Sequence, residues 1–429
     1  MEQKKMGSVT TTYKLHLYRK HLNWLRLTQE LYHSVFAFYY EVLLNHQELL
    51  ERSNYSLMRE LEILTVGTKE MKKAEQKPEY PLETFPKLPL YFRRAVINGA
   101  ISLVRSYQKN LENWEQNPEV FSCPSTARQF HAAPVYYKGM YKDFTESSIC
   151  LKLYTGEIWK WVKYRYTGRE LPKNAEWLSP SIKIGKKEAW LHVPVVETVG
   201  DIRTIAERME TEEKILAVSF PGNDVMAVCC VLDKDGKKRK SCFLRGGKEL
   251  KAKRKQLVRK MEKVRKSRGK KERSEGEVVP ERVYLEKIER LNEMYAHRIS
   301  RKIVSFAQEE DIKVIVVPHY EEEIAFQKMR YFKVSEYDWI GRKIIRFLKY
   351  KAFQKGIVVG SVGAYHIADR CSECGSEIKK YNEGHRANKR YYGGKLYVCE
   401  KGHRGNSGEN TARNIGKRFL ERYQGIDEL

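Results

Sequence analysis

Residues 371–415 read CSECGSEIKKYNEGHRANKRYYGGKLYVCEKGHRGNSGENTARNI, and two chemistries lie side by side in them. Cys371-x2-Cys374 puts two thiolates on one tight turn, and Cys399-x3-His403 supplies a second pair after 24 intervening residues. Two knuckles with four soft or borderline donors suit a tetrahedral zinc ion held for structure, with no coordination position left open. Gly375 and Gly402 stand where each knuckle needs a residue tolerant of positive φ. His385, in the intervening loop, is the alternative to His403 as fourth ligand.

Directly after the ribbon, Asn406-Ser-Gly-Glu-Asn-Thr-Ala-Arg-Asn-Ile415 runs into a basic segment. It resembles the closing motif of the RuvC-like nuclease domain in TnpB, the transposon-encoded RNA-guided nuclease, and in the miniature type V CRISPR effectors. There the motif reads D-x-D-x-N-A-A-x-N-I, just past a two-knuckle zinc ribbon. Asn410, Ala412, Asn414 and Ile415 keep its frame. Gly408 stands at the family's last catalytic aspartate and Asn406 at the earlier acid. On an extended segment Glu409 would face away from Gly408.

The whole chain carries 81 Lys and Arg against 55 Asp and Glu, a formal charge of +26, together with 27 Tyr and 7 Trp. Cations interleaved with aromatics suit phosphates and stacked bases, so a nucleic-acid partner is expected. No apolar run approaches the ~20 residues of a membrane span, and MEQKKMGSVT lacks the apolar core of a secretory signal. Eight cysteines, three of them in the ribbon, fit a reducing compartment. The expected location is the bacterial cytoplasm, associated with the nucleoid.

A length of 429 residues allows two or three cores, and the pattern along it points to an α+β multidomain fold. Residues 10–20 alternate as a short strand, and 22–51 show the three-and-four apolar spacing of an amphipathic helix. The resemblance makes 1–20 the first strand of a wedge-type β-barrel and 21–117 a helical recognition insert. A second helix opens at Tyr55, with Ser53 and Asn54 as capping candidates. A proline-rich loop, 77–89, leads to a long basic helix over 90–117. By position in the family, these helices flank a short DNA motif beside the target, with Tyr55, Arg59, Arg93, Arg94 and Asn98 as candidates to read it. Donors and acceptors of that kind are what base edges require.

Residues 118–210 turn to short alternating strands, read as the remainder of the wedge barrel. Trp159, Trp161, Lys163 and Tyr164 suit an RNA backbone and its unstacked bases; the alternative is a strand with one aromatic core face. From 211 to 370 the chain resembles the RuvC-like domain. Its first strand, 214–220, is followed by a turn and an antiparallel return, and Ser219 occupies the place of the family's aspartate. Residues 234–273 hold 20 Lys and Arg against 4 acids and are read in helical register, facing phosphates. Lys253, Arg254, Arg259, Arg265 and Arg268 are the candidate contacts there. A helix at 283–310, a buried strand at 312–317, a helix at 339–355 and a strand at 356–359 follow. In the family the 312–317 strand ends in a glutamate; here Pro318 follows it. The ribbon spans 371–403, and 404–429 hold the closing motif and a basic tail.

RuvC-type cleavage clamps the attacking and leaving oxygens between two divalent ions, which carboxylates must hold. Ser219, Pro318 and Gly408 offer nothing comparable, so neither catalytic magnesium nor nuclease activity is expected. The resemblance is strongest to TnpB-derived nuclease-dead repressors. It implies a monomer that, with a guide RNA, represses transcription by occupying double-stranded DNA bearing a short flanking motif, base pairing supplying the sequence choice. Two alternatives stand: an RNA-guided DNA endonuclease with displaced acids (Asp224, Glu321 or Glu409), and a nuclease-dead CRISPR effector that recruits a sigma factor or RNA polymerase.

Overall fold

The computed structural model describes residues 7–423 except 120, 223, 269–280, 320–339, 385 and 388–393. Two compact units divide the chain, Ser8–Glu197 and the part from Thr198 onward. The division falls ahead of the change expected at 210. The helix Ile205–Thr211 belongs with the later unit because Ile205 and Met209 pack into its core, and buried Arg208 donates to the carbonyls of Lys313 and Gly356.

In the first unit, β1 (Gly7–Leu17) leads into α1 (Leu22–Asn45), α2 (Asn54–Val66), α3 (Lys69–Lys73) and α4 (Leu90–Gln116). The expected helix over 22–51 stops at Asn45, and 47–51 form a 3-10 turn instead. Ser53 starts α2 by accepting from the Ser56 amide at 3.3 Å. Then come β2 (Tyr141–Lys142), β3 (Ser148–Tyr154), β4 (Trp159–Gly168), β5 (Glu176–Trp177), β6 (Ser181–Ile184) and β7 (Ala189–Val199). Their order is β2-β3-β4-β1-β7-β5, with β6 also on β7. The two ends of this path approach through rings: Phe144, just past β2, lies 5.1 Å from Trp177 of β5. Alternation along β4 sends Val162, Tyr164 and Tyr166 into a core shared with α1, α2 and α4, and leaves Trp161, Lys163 and Arg165 outside.

The second unit runs α5 (Ile205–Thr211), β8 (Lys214–Ser219), β9 (Val225–Asp233), β10 (Lys238–Arg245), α6 (Gly247–Arg268), α7 (Arg282–Glu309), β11 (Val314–His319), α8 (Gly341–Phe353) and β12 (Val358–Gly363). Its sheet is ordered β10-β9-β8-β11-β12, with β11 parallel to both β8 and β12. Both faces are covered, which is why these strands read as continuous apolar runs. Leu216 and Val218 face a core with α7 and α8; Ile215 and Ala217 face another with α5 and α9 (Ser407–Tyr423).

Two expectations are corrected. Residues 234–273 are not one helical stretch: the chain turns at Gly236 (φ 72°), and β10 pairs along β9 before α6 begins. The strand opens on three exposed basic residues, 238–240, and buries little before Leu244, so the charge density masked it. The segment 407–415 is not extended but is the start of α9. The expected start of α8 at Trp339 lies outside the described residues.

Helix α9 lies against the sheet at Gly416, where an added Cβ would overlap Leu232 Cδ1 and stand 3.0 Å from Ala217 Cβ. Gly416→Ala is therefore expected to cost about 1–3 kcal/mol in denaturant unfolding, although alanine is the better helix former; unchanged stability would mean that the helix sits farther from the sheet.

Candidate functional site

The ribbon strands β13 (Ile378–Tyr381), β14 (Leu396–Cys399) and β15 (Arg404–Asn406) bring both knuckles together. Each knuckle closes on a glycine in the left-handed region. The Gly375 amide (φ 72°) donates to Cys371 O, and the Gly402 amide (φ 82°) to Cys399 O. Donor atoms of Cys371, Cys374, Cys399 and His403 all lie within 4.8 Å of one another. Cys374 Sγ is 3.7 Å from Cys399 Sγ, which is 3.4 Å from His403 Nδ1. Zinc–sulfur bonds of ~2.3 Å give tetrahedral edges of about 3.8 Å, so the donors are spaced as ligands of a zinc ion would be. The Ser376 hydroxyl and amide hold the Cys374 thiol down at about 6, toward the thiolate that a metal needs. His385 lies outside the described residues.

Polar groups on α9 fasten this knuckle. Asn410 accepts from the Ser372 amide (2.8 Å) and donates to Arg370 O (2.6 Å). Asn414 donates to the carbonyls of Ile367 and Arg370, Lys417 to that of Ser372, and Arg413 pairs with Glu373.

At its other side, the start of α9 meets the ends of the parallel strands. Val316 and Ala217 are register partners, so Pro318 and Ser219 lie level, each two residues on. Ligands of open α/β sheets bind outside such carboxyl ends. Ser219 Oγ donates to Gly408 O at 2.7 Å. Asn406 Oδ1 caps α9, accepting from the amides of Gly408 (2.9 Å) and Glu409 (3.1 Å). A Cβ on Gly408 would stand 2.8 Å from Pro221 Cγ and 3.0 Å from Val228 Cγ2. The space for a side chain at 408 is occupied. Asp224 is engaged too: its carbonyl accepts from the Gly246 and Gly247 amides and its carboxylate from the Lys248 amide (3.3 Å), capping α6. Glu409 pairs with Lys238. Glu321 lies outside the described residues.

The candidate nucleic-acid contacts fare unevenly. Tyr55 is 79% exposed and Arg59 is exposed on α2. Arg93 and Arg94 are spent on Glu62, at 3.1 and 3.2 Å, and Asn98 donates to Tyr137 Oη. On β4 the aromatic run splits by face. Tyr164 is buried and donates to Lys20 O, and Trp159 donates to Lys87 O while packing on Phe92. Neither is placed to stack a base. Trp161 is 40% exposed, with Lys142 and Lys152 over its ring at 4.9 and 5.7 Å and Lys163 exposed on the same face. Those two lysines escaped the sequence reading because cross-strand pairing places them, Lys152 opposite Trp161 and Lys142 opposite Cys150. Arg254 is also corrected: it is 4% exposed, and its Nε donates to Asn292 Oδ1, joining α6 to α7. Arg259 and Arg265 are exposed, Lys253 pairs with Glu249, and Arg268 is the last residue of α6.

Two family profiles match parts of the chain: the Aq_aa04 family over residues 9–155 and the Cas12f1-like, TNB domain over residues 342–415. Among curated proteins nothing matches. Solved structures share the fold at low identity. The Cas12f1–sgRNA–target DNA complex aligns at 16% identity over 92% of this chain and 81% of that one, with a TM-score of 0.56. The mini-RNA-guided endonuclease CRISPR-Cas_phi3 aligns at 10% over 96% and 93%, TM-score 0.51. Alicyclobacillus acidoterrestris C2c1 with single-guide RNA aligns at 10% over 92% and 70%, TM-score 0.50. The chain is thus a mixed α+β multidomain protein with the fold of the type V effectors.

Cys374→Ser is expected to lower bound zinc well below about one ion per chain in metal analysis of the purified protein; full occupancy in the variant would count against the donor set. A second expectation concerns Glu62. Burial pushes its carboxyl up, but hydrogen bonds from Arg94 and Arg93 outweigh that and hold it below 4.5. Such a group adds stability above its unfolded value and loses it as pH falls through the folded one. Glu62→Gln should therefore cost roughly 1–2 kcal/mol at neutral pH, with the gap to wild type closing below pH 4.5 in acid-dependent unfolding.

Proposed function

We propose that this chain is an RNA-guided DNA-binding protein that occupies a promoter matched by its guide RNA and blocks transcription without cutting. The observation that carries the reading is the bond from Ser219 Oγ to Gly408 O, packed beneath Pro221 and Val228. It spans the strand ends where a RuvC-type centre needs carboxylates to hold two divalent ions. Serine, proline and glycine hold neither, and the nearby acids Asp224 and Glu409 serve a helix cap and an ion pair. That engagement favours a non-cutting protein over an endonuclease with displaced acids.

Guide RNA and target DNA are the partners named for the Cas12f1 structure whose fold the chain shares, and a charge of +26 suits both. In this reading 1–20 and 118–197 form the wedge barrel, 21–117 its recognition insert, 198–370 the RuvC-like domain with α5 at its start, 371–403 the ribbon and 404–429 the closing motif and tail. Tyr55 and Arg59 approach the flanking DNA motif. Trp161 and Lys163, with Lys142 and Lys152 beside them, contact RNA, and Arg259 and Arg265 lie along phosphates. Zinc held by Cys371, Cys374, Cys399 and His403 would supply a structural crosslink between the two knuckles. The protein works as a monomer in a nucleoid-associated ribonucleoprotein of the bacterial cytoplasm.

Sequencing the RNA that copurifies with the protein should give one defined species ending in a short segment that matches a promoter. A reporter behind that promoter should fall in expression, and a matched plasmid should stay intact with magnesium or manganese. Bulk cellular RNA would sink the guided reading, a nicked plasmid the non-cutting reading, and a rise in reporter output would favour polymerase recruitment.

A further inference from the structure

Helices α7 and α8 pack side by side over the five-stranded sheet, and their seam carries a charge imbalance. Helix α8 has no acid among residues 341–353, and α7 brings His297 and Arg301 to the same seam. His297 stacks flat on Phe347, ring centroids 3.8 Å apart and planes at 5°, while the Arg346 guanidinium lies 4.9 Å from the centre of the same ring. Tyr350 Oη is 3.4 Å from His297 Nδ1. Lys351 Nζ donates to His297 O at 2.8 Å and Ser300 Oγ at 2.7 Å, neither of them a charge partner. Burial first, and then Arg301, holds the Lys351 ammonium down at about 8. Burial and the neighbouring Lys351 also lower His297, with Glu293 the one acid that offsets them. Glu289 of α7 pairs with Lys343 of α8; among the described residues, no ion pair joins Arg301, Arg346 or Lys349 to a carboxylate. Cations without matching acids along the seam make a positive potential that an anion would relieve.

Aromatic surface accompanies the charge. Tyr350 is 42% exposed and Phe353, one turn on, 39%. Paired bases present no ring face to such side chains; unpaired bases do. The place is also distinct from the vacated strand ends. Phe353 closes α8 five residues before β12 begins at Val358, so this end of the helix lies toward the amino ends of the strands, whereas Ser219 and Pro318 lie at the carboxyl ends.

We infer that the α7–α8 seam is a binding surface for single-stranded nucleic acid, with Arg301, Arg346 and Lys349 on phosphates and Tyr350 stacking a base. It rests on the reading of the chain as a nucleic-acid-binding protein and adds a contact remote from the strand ends. Charge complementarity and exposed rings at one place favour a single strand over a protein partner.

The test uses the full chain, cleared of copurifying nucleic acid, with fluorescent oligouridylate, oligothymidylate of equal length and a duplex as probes. Irradiation with short-wavelength ultraviolet light followed by peptide mapping should place a crosslink at Tyr350. Tyr350→Ala should weaken single-strand binding roughly 5- to 100-fold. Arg301→Glu with Arg346→Glu should weaken it further and flatten the salt dependence by about one unit per cation removed. Lys349→Glu, at an exposed position, gives the same readout if the double variant fails to fold, which zinc content and circular dichroism report. If wild type binds both single strands while the variants match it and no crosslink falls on 282–309 or 341–353, the seam is not the surface, and the guided-binding reading survives. If wild type binds no probe, both fall. Equal losses on the duplex would overturn the single-strand assignment, and a difference between the two single strands would tell RNA from DNA.

Discussion

Helix α9 is held from two sides, and much of the second unit depends on how. Its apolar stripe, Ala412, Ile415, Phe419 and Leu420, lies on the sheet. Its polar face, Asn410, Arg413, Asn414 and Lys417, takes up backbone and side-chain groups of residues 367–373. A helix with only the first face would dock the sheet and leave the ribbon to swing on its linker. With both, the knuckle that holds Cys371 and Cys374 is fixed by directed hydrogen bonds, which carry geometric specificity that apolar contact lacks. The first turn of α9 is then placed at the strand ends, where Ser219 reaches Gly408 O.

That placement brings backbone and apolar side chains together at the strand ends. With no Cβ at 408, Pro221 and Val228 approach to distances that a side chain would forbid, and a serine hydroxyl satisfies the Gly408 carbonyl. The strand ends are a packed joint between helix and sheet.

The chain's large positive charge is likewise not all available to a partner. Arg93 and Arg94 are committed to Glu62, Arg254 to Asn292, and Arg208 to four backbone carbonyls and the Asp201 carboxylate. A buried guanidinium must be compensated from within, so these residues organise helices. Exposed cations do stand around Trp161 on the outer face of the first sheet, along α6, and on the α7–α8 seam.

Local chemistry was legible in the sequence. The two knuckles, the apolar strands 214–219, 225–233 and 314–319, the Ser53 cap and the periodicity of α4 and α7 follow from spacing, since ligand turns, alternation and helical pitch act within a few residues. Charge misled where it hid a strand at 238–245, because lysine tolerates either backbone when its head reaches water. What the tertiary structure alone decided was who faces whom: that Tyr164 turns inward while Trp161 turns out, that Glu62 claims two arginines from a helix some 30 residues on, as the separations of 31 and 32 show, and that Pro221 stands where a side chain at 408 would be. Those outcomes depend on contacts between residues far apart in sequence, whose distances no local periodicity encodes. Composition and spacing announced a zinc ribbon and a basic α+β chain; only packing determined which cations remain exposed and that the strand ends are filled.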